Sequence, residues 1–172
     1  MVTPHTTANM AETDFHSLNQ KWVLWAHLPH DQDWSIHSYQ KVYEFTNVEE
    51  TIGIMETLPE GLIKNCMLFI MKEGVKPMWE DPKNINGGCF SYKVTNKYVA
   101  QAWRELAYVL VGESLSKTPN FVNCVNGITI SPKKNFCIVK IWLADSKFTN
   151  PAIVTNEVKH IVPDGCIWKK HK

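Results

Sequence analysis

Apolar and polar positions along the chain follow two different periods, and each period predicts its own kind of element. Alternating or short apolar runs bounded by turn residues predict strands. Seven such runs cover residues 22–26, 40–45, 65–72, 89–94, 121–130, 136–142 and 165–169. The peptide from Ser131 to Asn135 links two of them by a loop short enough for a hairpin.

Helical spacing predicts helices between these strands. The first opens with Thr46 and Glu49, a capping-box pair, and ends before Pro59. The second begins after Asn96 and ends near Gly112. Each carries an apolar stripe that has to be buried against the rest of the protein.

A third helix is predicted to start at Asn150-Pro151, where the missing N–H of proline is harmless, and to end before Pro163. Its apolar stripe consists of Val154, Val158 and Ile161. Strands in neighbouring pairs with helices between them, without strict βαβ alternation, indicate an α+β fold. We therefore expect an antiparallel sheet with helices on one face.

Length and composition predict one domain in a reducing compartment. The 172 residues can bury about two thirds of the surface of the unfolded chain, and no linker divides the sequence after its polar start. We expect a disordered tail at 1–14 and a single domain at 15–172. The five cysteines lack CxxC spacing, and no segment resembles a signal peptide or a membrane span. A soluble protein of the cytoplasm, or also of the nucleus, is expected.

Charge and motif content narrow the function classes. The formal charge of +1 comes from 18 basic and 17 acidic residues, so any RNA contact should be local. The sequence contains no P-loop, GxGxxG, GxSxG or HExxH motif. A proline between His27 and His30 breaks the helix that would align them as metal ligands. We expect neither a metal site nor an enzyme.

Two of the seven tryptophans lie outside the predicted strands and helices. Trp34 follows a polar turn, and Trp79 lies in a loop between Pro77 and Pro82. Aromatic side chains in such loops either bind a ligand or fold back as a lid over the core. The local pattern leaves both interpretations open.

The chain resembles the translation initiation factor 4E family in several blocks. The most specific block is GVKPMWEDPKN at 74–84, which continues to Gly87 and Gly88 and resembles the family's cap-contacting loop. Further blocks are WVLW at 22–25, FTNVEE at 45–50, WREL at 103–106, VGE at 111–113 and IW at 141–142. The blocks occur in family order and at family spacing.

The resemblance implies a strongly curved antiparallel sheet of about eight strands, with three helices on its convex face. It also implies a concave slot for the 7-methylguanosine cap of messenger RNA, bound without a cofactor. Trp34 and Trp79 are then expected to stack on the two faces of the methylated base, and Glu80 to accept hydrogen bonds from its N1–H and 2-amino groups. Trp142 corresponds to the family tryptophan near the N7 methyl group, although its place at a strand end also fits a core residue.

The phosphates of a cap need cations, and the hairpin tip offers Lys133 and Lys134. In the family an arginine occupies about the place of Lys133, and a second phosphate-binding lysine occupies that of Ile138. Lys140 lies on the same strand face as Ile138 and is expected to substitute only with local shifts. The basic run 169–172 either supplies a replacement charge or is a solvated end, and we favour the solvated end.

The family binds helical peptides of its scaffold subunit or of repressor proteins through the convex helices. The residues that match or replace this surface are His16, Val48, Ile52, Trp103, Arg104, Glu105, Tyr108 and Gly112. Ile52 stands where the family has an exposed tryptophan, and Arg104 adds a charge. These departures predict a weaker contact with the usual peptide.

Three functions remain to be separated. The first is a monomeric initiation factor that recruits capped messenger RNA through a scaffold of the 4G class, or a divergent equivalent, and that 4E-binding repressor proteins can occupy. The second is a cap-binding repressor that does not engage the scaffold. The third is a cap-hydrolysing enzyme, for which Asp31, Asp33, Glu80 and Asp81 are sparse metal-binding candidates. We favour the first.

Overall fold

Seven strands form one antiparallel sheet in the computed structural model, which describes residues 15–172. In chain order they are β1 (Ser17–His27), β2 (Tyr39–Asn47), β3 (Met67–Lys72), β4 (Gly88–Thr95), β5 (Val125–Pro132), β6 (Phe136–Leu143) and β7 (Ile167–Lys170). Their order across the sheet is β2-β1-β3-β5-β6-β4-β7. The short β7 therefore forms one edge and pairs with β4.

Within residues 15–172, four short α-helices accompany the sheet: α1 (Val48–Thr57), α2 (Glu60–Asn65), α3 (Val99–Val111) and α4 (Pro119–Cys124). Single 3-10 turns lie at Ile36–Ser38 and Pro151–Ile153. The expected curved antiparallel sheet with helices is thus confirmed, with seven strands among the described residues instead of about eight. Within the same range, the helices are too short or too polar to cross a membrane.

The alternation of side chains along each strand creates a core on each face of the sheet. On the helix-backed face, strand residues such as Leu24 and Ile128 pack with α3, whose Trp103 and Leu106 are fully buried. On the other face, called here the helix-free face, a smaller cluster forms from Val23, Trp25, Phe69, Met71, Val75 and Trp142. The second cluster is the floor on which the site described below is built.

The predicted strand at 121–130 starts too early. Residues Pro119–Cys124 form α4, and the strand begins at Val125. Pro119 stands in the first turn, where its missing N–H costs nothing, and Phe121 and Cys124 share the buried side. A helix of six residues is too short for its periodicity to be separated from that of an apolar strand, and α2 was missed for the same reason.

The prediction of a third helix between Asn150 and Pro163 is wrong. Only the 3-10 turn Pro151–Ile153 forms there, capped by Asn150 Oδ1, which accepts a hydrogen bond from Ala152 N at 3.0 Å. The expected stripe is buried without helical structure: Val154, Val158 and Ile161. The N–H of Thr155 donates to Leu115 O at 2.7 Å, so at this residue the backbone is bonded to another segment and the preceding turn does not continue into a helix.

The starts of the other two helices differ slightly from the prediction. Asn47, not Thr46, caps α1, because its Oδ1 accepts the N–H of Glu50 at 2.8 Å. In α3, Tyr98 precedes the first helical residue and no side chain caps it, so the predicted role of Asn96 is wrong. The predicted tail at 1–14 lies outside the described residues, and the division at that point stays a prediction.

Candidate functional site

A cleft of about 410 Å³ lies on the helix-free face of the sheet, between the β1–β2 loop, the β3–β4 loop and β7. All four residues expected to hold a base line it: Trp34, Trp79, Glu80 and Trp142. Residues that the sequence analysis did not assign to a site also line it: Tyr39, Met67, Phe69, Pro77, Met78 and Cys89. Most of these lie on β2, β3 and β4, so only the pairing of the strands brings them to the cleft.

Trp34 is held by the turn that precedes it and by a histidine behind it. Asp33 Oδ1 accepts the N–H of Ser35 at 2.8 Å, and this bond lowers the pKa of the Asp33 carboxyl. The buried His27 ring stacks on the indole, with centroids 4.0 Å apart and an interplanar angle of 2°. Its Nε2 contacts Asp33 O at 2.8 Å. The indole is thus fixed from one side and remains 56% exposed towards the cleft.

The loop that carries Trp79 and Glu80 is braced by buried polar side chains. Asp81 accepts the N–H groups of Lys76 and Lys83 at 2.9 and 2.8 Å. The 44% exposed Trp79 therefore projects from a loop that is rigid on both sides. It is not folded back over the core, which contradicts the lid alternative for this residue.

A second brace of the same loop comes from Asn84, whose side chain is fully buried. Its amide donates to Lys76 O at 3.1 Å and to Met78 O at 2.8 Å. Asn126 at the start of β5 then donates to Asn84 Oδ1 at 2.9 Å. This chain of bonds ties the loop to the sheet and satisfies its buried polar groups.

The double glycine that follows the loop allows three strands to approach closely. A Cβ at Gly87 would lie 1.7 Å from Leu143 O, and one at Gly88 would lie 2.3 Å from Lys169 O. The carbonyl of Gly87 also accepts the N–H of His171 at 3.0 Å. Only glycine fits at these two positions, so the GG of the sequence motif positions β7 beside the cleft.

Glu80 is exposed, and no ion pair of the described residues includes it. Burial raises the pKa of Tyr39, and the charge of Glu80 raises it further. Burial and the charge of Lys140 lower the pKa of His171, which Glu80 opposes. The carboxylate therefore acts on groups from two other elements of the cleft and is free to accept hydrogen bonds from a ligand.

Trp142 is both a core residue and part of the cleft, so the two expectations for it do not exclude each other. Its side chain is 7% exposed in the helix-free cluster, opposite Cys89 of β4. The ring of His171 packs against it with centroids 4.9 Å apart and a tilt of 40°. The tryptophan forms part of the floor, and little of its surface is open to a ligand.

The cations of the cleft are not those predicted. Lys133 and Lys134 are exposed at the tip of the β5–β6 hairpin and do not line the cleft. Lys140, Lys169 and Lys170 do line it, as does His171. Lys169 and Lys170 are exposed, as expected of a solvated end, but β7 pairs with β4 and places them on the wall of the cleft. The pairing of a four-residue edge strand was not apparent from the sequence.

An apolar groove of about 230 Å³ lies on the opposite side of the molecule, between α1 and the end of α3. Four of the predicted partner residues line it: Val48, Ile52, Tyr108 and Gly112. Leu18, Thr51, Glu56 and Val111 complete the lining. Ile52 is 46% exposed and Val48 37%, so the groove presents apolar surface to solvent.

Polar groups around the groove find partners within the fold. Arg104 Nε donates to Met55 O at 3.0 Å and Nη2 to Leu58 O at 2.8 Å, at the end of α1. Its charge therefore binds the C-terminal end of a helix, where cations are favoured, and is not presented to a peptide as we expected. The Tyr108 hydroxyl donates to Glu56, and burial together with this bond raises its pKa.

Three further predicted partner residues do not line the groove. Trp103 is wholly inaccessible beneath α3, since it faces the sheet, and its prediction as a surface residue is wrong. Glu105 accepts a hydrogen bond from Gln101 at 2.9 Å, one turn earlier on α3. His16 lies beside α1, where its N–H and Nδ1 contact Glu49 at 2.9 and 2.5 Å, and Glu49 raises the pKa of His16.

Three of the four sparse acidic residues, Asp31, Asp33 and Asp81, serve as structural acceptors in loops. Asp31 Oδ1 accepts the N–H of Asp33 at 2.9 Å, and Asp81 is used twice in the β3–β4 loop. Among residues 15–172, no three His, Cys, Asp or Glu side chains are grouped as they would be to hold a metal ion. All five cysteines are free thiols.

Comparison with known sequences gives one family. Residues 17–164 match the sequence model described as Eukaryotic initiation factor 4E. Eukaryotic translation initiation factor 4E-2 of Schizosaccharomyces pombe is 31% identical over 142 residues, which is 77% of this chain but only 56% of that protein. Eukaryotic translation initiation factor 4E of Candida albicans is 28% identical over 158 residues, covering 86% of this chain and 73% of that protein.

Solved structures have the same fold. The structure of schistosome eIF4E complexed with m7GpppG and 4E-BP has a TM-score of 0.69 and 27% identity, over 78% of this chain and 75% of that one. Caenorhabditis elegans eIF4E-3 in complex with the 4E-binding protein Mextli has a TM-score of 0.73 at 24% identity, over 92% and 94%. At that identity, the second likeness shows the fold alone.

Proposed function

Because the chain belongs to the eukaryotic initiation factor 4E family, we propose that it binds the 7-methylguanosine cap of messenger RNA and acts in translation initiation. The observation that carries this proposal is that two exposed indoles, Trp34 and Trp79, line one cleft next to the unpaired carboxylate of Glu80. The schistosome relative was solved with m7GpppG, a ligand of this chemistry. The cleft takes the cap as its ligand and needs no cofactor.

The two indoles select a methylated base through its charge. Methylation at N7 makes guanine cationic, and a desolvated cation over an indole face gains about 2 kcal/mol in addition to stacking. An unmethylated guanine is uncharged and lacks this cation–π attraction, so its binding is weaker by more than tenfold. His27 supports this selection by fixing the plane of Trp34 from behind.

Glu80 selects guanine over adenine. A carboxylate accepts two parallel hydrogen bonds from the N1–H and 2-amino groups of guanine, and adenine lacks the 2-amino donor. Burying the carboxylate against a cationic base also compensates its charge. Glu80 and the methylated base are therefore complementary in both hydrogen bonding and charge.

The groove beside α1 is the proposed site for a helical peptide, from a scaffold factor of the 4G class or a divergent equivalent. Its exposed apolar side chains suit the apolar face of an amphipathic helix. The schistosome structure with 4E-BP and the Mextli complex support a 4E-binding protein as an alternative occupant. We propose that the protein is a monomer in the cytoplasm, and also in the nucleus, and that it acts by binding and without catalysis.

The test of cap binding is tryptophan fluorescence titrated with 7-methyl-GTP and with GTP. We expect quenching at micromolar or lower concentration by the methylated ligand, and a loss of more than tenfold in affinity in Trp34→Ala and Trp79→Ala. Trp22→Phe, on the helix-backed face of β1 and outside the cleft, is the control for the loss of one fluorophore. Equal affinity for the two nucleotides would refute the proposal.

A repressor that binds caps but no scaffold would give the same titrations. Capture on immobilised cap analogue, followed by addition of a scaffold-derived helical peptide, distinguishes the two. An initiation factor retains the peptide, and Ile52→Asp should abolish this retention while leaving cap binding intact. Retention of cap without any scaffold peptide would favour the repressor.

A further inference from the structure

The cleft has a second, cationic wall, which is formed by the last strand of the described chain. Lys169 and Lys170 of β7 and Lys140 of β6 line it, while Glu80 is the only acidic side chain in the described lining. The ion pairs found within residues 15–172 do not use these lysines. With three lysines against one carboxylate, the lining has a local positive potential that an anion would relieve.

Both faces of β7 hold this wall in place. Trp168 packs on the helix-backed face against Phe90, with ring centroids 5.3 Å apart. Because side chains alternate along a strand, the next residue, Lys169, points to the helix-free face, where it lies opposite Cys89. Lys170 starts from the other face and borders the cleft at the edge of the sheet. The register of β7, and with it the direction of Lys169, is therefore fixed by the packing of the partly buried Trp168.

The backbone beyond Lys169 is fixed as well. Gly87 and Gly88 leave no room for a side chain between β4, β6 and β7, and the N–H of His171 donates to Gly87 O at 3.0 Å. The ring of His171 packs on Trp142. The cations of this wall therefore start from an ordered backbone.

The β5–β6 hairpin, which was expected to supply the phosphate-binding cations, contributes only one lysine to the cleft. Lys133 and Lys134 lie outside the cleft, and Ile138 occupies the strand position between Phe136 and Lys140 on the same face. The amine of Lys93 lies over the Phe136 ring, 4.4 Å from its centroid. Of the charges on the hairpin, only Lys140 lines the cleft.

We propose that Lys169 and Lys170, together with Lys140, bind the phosphate chain that follows the methylated base. This inference rests on the proposed function, since it assigns the second half of the same ligand. The base then lies between the two indoles, and the phosphates extend along β7. An edge strand, instead of the β5–β6 hairpin, supplies most of the charge.

The test compares two ligands that differ only in their phosphates, 7-methylguanosine and 7-methyl-GTP, on the full chain. In Lys169→Gln/Lys170→Gln we expect the affinity for 7-methyl-GTP to fall about tenfold or more, with the affinity for the nucleoside unchanged. The slope of log affinity against log salt should become shallower by about 0.7 for each lysine–phosphate pair that the substitutions remove. Lys117→Gln/Lys159→Gln, which removes the same charge from exposed sites elsewhere, is the matched control.

The competing assignment is tested with Lys133→Gln/Lys134→Gln. A loss of 7-methyl-GTP affinity in this variant, with none in the β7 variant, would overturn the inference. Because the nucleoside has no phosphates, its binding reports separately on the base site and on the fold of each variant. If the unsubstituted protein binds neither methylated ligand, the proposed function itself fails, whatever the lysines do.

Discussion

The cleft and the groove lie on opposite sides of one sheet and treat their charged groups in opposite ways. In the cleft, Glu80 and the lysines of β7 have no ion-pair partner among the described residues. Around the groove, Arg104 binds backbone carbonyls and Tyr108 binds Glu56. The charged groups of the cleft are thus unpaired and available to a ligand. Those around the groove are hydrogen-bonded within the fold, and the groove exposes apolar side chains instead.

The difference indicates how each surface selects its ligand. Unpaired charges around a fixed aromatic pair recognise charge and hydrogen-bonding pattern, and their contribution is screened by salt. An apolar groove recognises shape and apolar area, and salt has little effect on it. The same protein should therefore release its proposed nucleotide ligand, but not its peptide, as ionic strength rises.

The largest effect on stability is expected from a substitution in the core that supports both the cleft and the groove. Trp103→Ala removes a fully buried ring between α3 and the sheet and should lower the free energy of unfolding by about 3–5 kcal/mol. Denaturant titration measures this loss. The exposed Ile52→Ala is the control and should change stability by less than about 0.5 kcal/mol while weakening the peptide. If Trp103→Ala were as stable as the unsubstituted protein and lost only peptide binding, Trp103 would belong to the partner-binding surface as first expected.

A smaller effect, confined to the cleft, is expected from Asn84→Ala. This change leaves the carbonyls of Lys76 and Met78 without their buried donor and should lower the free energy of unfolding by about 2 kcal/mol. Under conditions where the variant is folded, the affinity for 7-methyl-GTP should fall because Trp79 is no longer held, and peptide affinity should not change. Asn86→Ala, exposed in the same loop, is the control. Equal loss at both surfaces would show that they are not independent.

The smallest effect is a pH dependence of opposite sign on the two sides. Glu49 raises the pKa of His16 beside α1, so that pair stabilises the fold below pH 6.5 and its contribution disappears as pH rises through the raised pKa. Burial lowers the pKa of His171 in the cleft, so its contribution is present above pH 6.5 and disappears as pH falls through the lowered pKa.

Unfolding curves at pH 5.5 and 8 measure this dependence in two variants. His16→Gln should abolish the gain in unfolding free energy that the His16–Glu49 pair gives at pH 5.5. His171→Gln should abolish the loss of unfolding free energy that His171 causes at pH 5.5. A change in the same direction in both variants would contradict the assignment of the two pKa shifts.

The sequence predicted those parts of the molecule that are encoded locally or by a strong motif. The seven strands were found because their apolar residues alternate or form short runs, and α1 and α3 because their stripes are long enough. Trp34 and Trp79 were singled out by the loops that carry them, and Glu80 by the resemblance of its loop to the family's cap-contacting loop. These predictions needed no information on which strands are neighbours.

The missed parts depend on contacts between distant segments. Val154, Val158 and Ile161 have helical spacing, yet the N–H of Thr155 between them is bonded to Leu115 O and the segment forms no α-helix. Trp103 matched a family block that was assigned to the surface, but its side of α3 faces the sheet. The lysines of β7 enter the cleft only because β7 pairs with β4. Each of these outcomes is decided by tertiary packing, on which a local pattern carries little information.

The edge position of β7 couples ligand binding to local unfolding. A four-residue strand paired on one side only is among the first segments of a sheet to open, and its opening removes the wall that carries Lys169 and Lys170. A ligand bound to that wall must in turn stabilise the pairing of β7 with β4. By linkage, this stabilisation equals the free energy that the paired strand contributes to ligand binding. Amide protons of β7 should therefore exchange with solvent more slowly once the nucleotide is bound, while those of the inner strand β3 should not change.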